Sequence, residues 1–70
     1  MESFGSRIKQ LREQEQLPLR TVAAYLDIDQ AILSKIEHGH RKATRKQVIQ
    51  LANYFKTNEN DLIVLWLSDK

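Results

Sequence analysis

The sequence predicts an all-α fold, a compact bundle of five short helices. Its apolar residues recur three and four positions apart, as on one face of an α-helix, and no long stretch alternates as a β-strand does. Only one proline and two glycines interrupt the 70 residues. A chain of this length forms one domain at most, and we expect that domain to cover residues 1–70 around a small core.

The first two predicted helices are separated by a proline. Ser3 caps a first helix that we expect to extend to about Gln16. Leu17 precedes Pro18, and a residue before proline disfavours helical geometry, whereas proline itself suits the start of a helix. The second helix is therefore predicted over residues 19–26.

A third helix, predicted over residues 30–38, begins after Asp29 as its N-cap and ends at Gly39, which adopts left-handed geometry without strain. Since only three residues join it to the second helix, the two helices cannot pack antiparallel and must cross at a steep angle. This geometry is that of a helix-turn-helix unit, at about residues 19–38, whose second helix can project from the body.

Two further helices complete the bundle. Thr44 caps the fourth, and Gln47 three positions later completes a capping box. Asn58 caps the fifth, which we expect to end at about Leu67.

Positive charge is concentrated between the third and fourth helices. Residues 38–46 hold four Lys or Arg and no acid, whereas residues 1–37 and residues 47–70 each have a charge balance of −1. A basic patch beside a helix is typical of a surface that contacts phosphates, although a solvated loop can carry the same charge.

The outward face of the third helix carries four side chains that are small or can form hydrogen bonds: Gln30, Ala31, Ser34 and Lys35. Glutamine can pair with adenine, lysine can donate to guanine, and alanine can contact a thymine methyl, all in a major groove about 12 Å wide. An ordinary polar surface is the alternative interpretation of this face.

Residues 30–41, QAILSKIEHGHR, resemble the pattern Gln-Ser-x-Ile-Ser-Lys-Ile-Glu-x-Gly-x-Arg. That pattern is typical of the phage-repressor and Cro-type helix-turn-helix family, also called the xenobiotic-response-element family, and the similarity extends from Ile8 to Ile63. The resemblance implies a lambda-repressor-like fold and sequence-specific binding of double-stranded DNA. The chain would be a transcriptional regulator, a repressor, with the helix over residues 30–38 in the major groove.

The resemblance also implies roles for individual residues. The four outward side chains of the third helix fall where the family contacts base edges, and Arg12 and Glu37 match an ion pair that ties the first helix to the third. The expected phosphate contacts are Arg20, Thr21, His40, Arg41, Lys42, Thr44 and Arg45.

The chain departs from the family pattern in three places. Residues 18–19 replace the polar pair that clamps a phosphate, which leaves that contact to backbone N–H groups or to Arg20 and Thr21. Asp27 replaces a turn glycine, and Ala43 replaces a proline before the fourth helix.

The fifth helix carries an apolar run over residues 62–67, more than one small core can absorb. One recognition helix reads too few base pairs to define a unique site, so we expect a homodimer on a palindromic operator. If Leu62 and Leu65 turn inward, then Ile63, Val64 and Leu67 point outward, and Trp66 can serve the interface or plug the bundle. The predicted dimer interface comprises Ile63, Val64, Trp66 and Leu67.

The sequence predicts no cofactor, no metal site and no catalytic site. It has two histidines and no cysteine, and a bundle of this size offers no pocket that would shift a pKa or exclude water. No small-molecule substrate is evident, and without a signal peptide or a membrane span we expect a cytoplasmic protein. The alternative function is that of a protein-interaction or antitoxin-like module whose main partner is another protein.

Overall fold

The computed structural model describes residues 2–68, and the first residue and last two residues of the predicted domain lie outside that range. The described residues form five α-helices and no strand, as the sequence predicts: α1 (Phe4–Gln14), α2 (Leu19–Leu26), α3 (Gln30–Glu37), α4 (Arg45–Phe55) and α5 (Glu59–Ser68). Helix α3 ends one residue earlier than expected, because His38 is its C-cap.

The four predicted N-cap side chains each accept a backbone N–H in the first turn of their helix: Ser3, Asp29, Thr44 and Asn58. At Thr44 the cap is reciprocal, since Thr44 Oγ1 accepts the Gln47 N–H at 3.1 Å and Gln47 Oε1 accepts the Thr44 N–H at 2.9 Å. Helix α2 has no side-chain cap because Pro18 precedes it.

Helices α1 to α4 are each followed by a residue in left-handed conformation. These residues are Gln16, Asp27, Gly39 and Lys56, with φ of 57°, 59°, 79° and 54°. After α3, the His40 N–H donates to the Lys35 carbonyl at 2.8 Å, as in a Schellman motif. Only the glycine adopts this conformation without strain. Helix α1 ends before Gln16, where we expected its end, because that residue forms the turn.

The core draws one apolar face from each helix. Helix α2 packs against α3 and α4, α4 packs against α5, and α1 contacts α3, α4 and α5. The buried apolar side chains are Phe4, Ile8, Val22, Ala23, Leu26, Leu33, Ile36, Ala43, Val48, Leu51, Ala52 and Leu62. This core fixes α3 by its inner face only, so its outer face is left at the surface.

Gly5 lies where α1 crosses the C-terminal end of α3. A Cβ atom at this position would lie 2.5 Å from the carbonyl oxygens of both Ile36 and Glu37. No side chain larger than hydrogen fits here unless the backbones move apart. Gly5 therefore sets how closely α1 approaches α3, a role that we did not predict from the sequence.

No helix within residues 2–68 is both long enough and apolar enough to cross a membrane.

Candidate nucleic-acid interface

Helix α3 has one buried face and one surface face. Leu33 and Ile36 are 0% and 2% exposed, which anchors the helix to the core. Of the four predicted base-contacting residues, Gln30, Ala31 and Lys35 are exposed and Ser34 is half-buried. Because the Asp29 carboxylate accepts the Ala31 N–H at 2.7 Å, the start of the helix is held by its own cap. The exposed side chains of this face thus project from a helix whose first turn is capped by the chain itself.

Residues 38–46, which we call the basic segment, connect α3 to α4. Its cations Arg41, Lys42, Arg45 and Lys46 are all exposed, as is His40. The one buried side chain of the segment is Ala43, at 3% exposure. The predicted phosphate contact Thr44 is also exposed, but its Oγ1 and its backbone N–H already form the capping box of α4. Only its hydroxyl hydrogen remains to donate elsewhere.

Arg20 and Thr21, the remaining predicted phosphate contacts, lie in the first turn of α2 and are exposed. The N–H of Thr21 bonds to the Pro18 carbonyl at 3.1 Å. Since no side chain caps α2, this helix start can receive an acceptor from outside the chain.

Arg12 and Glu37 form a bidentate ion pair between α1 and the end of α3. The guanidinium Nε donates to Glu37 Oε2 at 2.8 Å and Nη2 donates to Oε1 at 3.1 Å. A third donor of Arg12, Nη1, bonds to the Leu17 carbonyl at 2.9 Å. The hydrogen bond to Glu37 raises the pKa of Arg12, so the guanidinium stays charged. With side chains only 12% and 1% exposed, the pair holds α3 against α1 from inside the fold.

The comparison with protein families decides what this arrangement is. A family model described as a helix-turn-helix domain matches residues 5–65, nearly all of the described chain. The chain belongs to this helix-turn-helix family. The resemblance seen in residues 30–41 is thereby confirmed, and the region predicted to be the helix-turn-helix unit, about residues 19–38, spans α2 and α3.

Two known proteins are similar to this helix-turn-helix domain. The HTH-type transcriptional repressor RghR of Bacillus subtilis (strain 168) is 36% identical over 50 residues, which are 71% of this chain and 37% of the repressor. The crystal structure of the restriction-modification controller protein C.AhdI from Aeromonas hydrophila has a TM-score of 0.75 and 25% identity, and the similarity covers 84% of this chain and 89% of that chain. The chain thus spans a little over a third of the curated repressor.

The fifth helix of the helix-turn-helix domain leaves two apolar residues at the surface. Val64 and Leu67 are each 62% exposed. Ile63, which we expected to point outward, is instead half-buried against the core. Ile63 lies between the buried side of α5, which carries Leu62 at 0% exposure, and the exposed side, which carries Val64, so the core covers only part of it.

Trp66 is half-buried and makes two contacts with the basic segment that we did not predict. Its indole Nε1–H donates to the Ala43 carbonyl at 2.7 Å. The Lys42 ammonium lies 5.0 Å from the centre of its ring. No local sequence signal marks this contact, because 23 residues separate Trp66 from Ala43.

Among residues 2–68, no three His, Cys, Asp or Glu side chains lie close enough together to hold a metal ion. His38 makes a local bond instead, since its Nδ1 lies 2.7 Å from the Ser34 carbonyl and donates to it.

Proposed function

We propose that this helix-turn-helix domain binds double-stranded DNA sequence-specifically and represses transcription, with residues 1–70 acting as one domain in the cytoplasm. One observation carries the proposal: a core-anchored helix, α3, presents a polar outer face directly before a segment whose cations are all exposed. The names of the relatives, a transcriptional repressor and a controller protein, support it.

The outer face of α3 supplies the base contacts. Gln30 and Lys35 have long, exposed side chains that form no hydrogen bond with the described residues, so each can reach a base edge. Ala31 is exposed and small enough to let the helix approach the groove floor. In a major groove, glutamine reads adenine and lysine donates to guanine.

The basic segment and the start of α2 supply the phosphate contacts. The segment follows α3 directly, so its cations flank a groove that α3 enters. Contacts of this kind position the protein and make binding depend on salt, but they carry no sequence information.

Two sets of variants separate base contacts from phosphate contacts. We expect Gln30→Ala or Lys35→Ala to weaken binding to the preferred site by about 1–3 kcal/mol and to leave binding to random duplex nearly unchanged. Arg41→Ala or Arg45→Ala should weaken binding to all sequences alike and reduce the salt dependence of the affinity. The measurement is a titration of a site selected from random DNA, and of random duplex, at several salt concentrations.

Lys56→Ala is the matched control, because Lys56 follows the C-terminal end of α4 whereas Arg45 begins that helix. The affinity of this variant for both DNA samples should stay unchanged. If Gln30→Ala keeps the full preference for the selected site, α3 does not read DNA with this face. No binding to random duplex at low salt would favour the alternative function, a module that binds another protein.

The proposed assembly on DNA is a homodimer formed through α5. Val64 and Leu67 lie three positions apart, and therefore on the same side of the helix, and both are largely exposed. Two domains related by a two-fold axis would place their α3 helices in half-sites about 34 Å apart, which gives a palindromic operator. The half-buried Ile63 and Trp66 could contribute only their exposed edges.

The variant Val64→Asp with Leu67→Asp is expected to be a folded monomer whose operator affinity falls about 100-fold, because two linked half-sites bind far more tightly than one. Circular dichroism should show unchanged helicity, and sedimentation should show the monomer. Asn53→Asp, which adds a negative charge on the exposed side of α4, is the control and should leave the dimer intact. An unmutated chain that sediments as a monomer at high micromolar concentration, free and on DNA, would exclude this dimer.

A further inference from the structure

Trp66 connects α5 to the segment that we propose contacts phosphate. It is the only tryptophan of the chain, and its indole N–H bonds to the Ala43 carbonyl at 2.7 Å. Neither the sequence motif nor the proposed base and phosphate contacts include this residue.

The basic segment has few other supports. Near its start, the His40 N–H bonds to the Lys35 carbonyl at 2.8 Å, and Gly39 adopts φ of 79° with open space where a Cβ would lie. At its end, Thr44 caps α4. Residues 40–42 between them are exposed. Ala43 does not restrict its own φ as a proline would. The position of Ala43 therefore depends on its buried methyl group and on the hydrogen bond from Trp66.

The packing beneath the segment is incomplete. A cleft of about 90 Å³ is lined by Phe4, Ile36 and Trp66 and by residues 39 and 41–43 of the segment. Since apolar side chains do not fill this space, the segment is held less by packing than an ordinary core element is. The indole hydrogen bond is therefore a more important restraint on the segment than it would be above a fully packed core.

The face of the same ring holds a cation. The Lys42 ammonium lies 5.0 Å from the ring centre, within the range of a cation–π interaction. The ring thus contacts two consecutive residues of the segment, the Lys42 side chain and the Ala43 carbonyl. An exposed ammonium held in this way can be released to a phosphate, which is a stronger partner for it.

We propose that Trp66 is a positioning residue for DNA binding. It holds the basic segment so that Arg41 and Arg45 meet the phosphate backbone together, and Lys42 leaves the indole ring for a phosphate when DNA binds. This inference rests on the proposed function. Without the indole N–H, the segment must be ordered during binding, and that ordering lowers affinity for every sequence equally.

Trp66→Phe is the variant that tests the positioning role, because it keeps an aromatic ring while it removes the N–H donor together with the second ring of the indole. We expect about fivefold weaker binding to both the selected site and random duplex, with the ratio of the two affinities unchanged. In the free protein, ¹⁵N relaxation should show increased motion at residues 40–42. Leu65→Ala is the control: Leu65 is half-buried on α5 without a bond to the segment, so its loss should lower the melting temperature but not mobilise residues 40–42.

Because the chain has one tryptophan, its fluorescence also reports whether Lys42 leaves the indole ring for a phosphate. The Trp66 fluorescence should change when the unmutated domain is titrated with random duplex. Most of that change should disappear in Lys42→Met, whose emission without DNA should already differ from that of the unmutated domain. Binding of the unmutated domain without a change in emission would overturn the exchange.

Two failures remain distinguishable. If the unmutated domain does not bind random duplex at low salt, the proposed function is wrong. If it binds but Trp66→Phe binds equally well and leaves residues 40–42 as rigid as before, the proposed function stands and the positioning role is wrong.

Discussion

Replacing Gly5 with alanine is expected to destabilise the domain by about 3 kcal/mol, the upper end of the usual cost of overpacking. In most helices the same change is stabilising by about 1 kcal/mol, because glycine is a poor helix former. Here the added methyl group would meet the Ile36 and Glu37 carbonyl oxygens at 2.5 Å. These are backbone atoms at the end of α3, so they cannot rotate away and α1 must shift.

Urea unfolding followed by circular dichroism measures this effect, and Gln10→Ala in the same helix is the control. Gln10 is exposed, so alanine there should be neutral or slightly stabilising. If both variants are as stable as the unmutated domain, then α1 does not approach α3 as closely as Gly5 implies. Because the shift would occur at the end of α3, Gly5→Ala should also weaken DNA binding under conditions where it remains folded.

Glu37→Ala is the second change with a large expected effect, a loss of up to about 3 kcal/mol, at the low end for breaking a buried ion pair. It would leave the guanidinium of Arg12 partly buried, with the Leu17 carbonyl as its remaining hydrogen-bond partner among residues 2–68. Arg12→Ala should cost a similar amount, since the Glu37 carboxylate is then buried without its cation. Because each single variant removes the same ion pair, the double variant should lose less stability than the sum of the two single losses.

The matched control for this cycle is the Glu2–Arg7 pair, which is also bidentate but lies at the surface with side chains 36% and 32% exposed. Its removal should have little effect on stability, since water replaces the contact. The hydrogen bond from Arg7 lowers the pKa of Glu2, so any contribution is present above its ordinary pKa and is lost as the pH falls. Additive losses of a few tenths of a kcal/mol in the Arg12–Glu37 cycle would contradict a coupled pair.

Features that depend on neighbours three or four residues apart could be predicted from the sequence. Asp29, Thr44 and Asn58 each accept an N–H from the turn that follows them, so the residue type alone marks the helix start. The same periodicity places Leu33 and Ile36, three positions apart, on one side of α3, which the structure buries, and leaves the opposite face for binding. The candidate surface was located in this way, whereas the contact that each residue makes with DNA remains a prediction.

Only the tertiary structure decided features that depend on how separate helices meet. In the sequence, Gly5 is only a weak helix former. The structure shows that a glycine is required there, because α1 crosses the Ile36 carbonyl group, 31 residues away in the chain. Trp66 had two possible positions in an apolar helix, and the distant carbonyl of Ala43 selected one of them. Helical periodicity determines which side of a helix is apolar, but the packing of the other helices determines how much of that side is covered, and this left Val64 exposed and Ile63 half-buried.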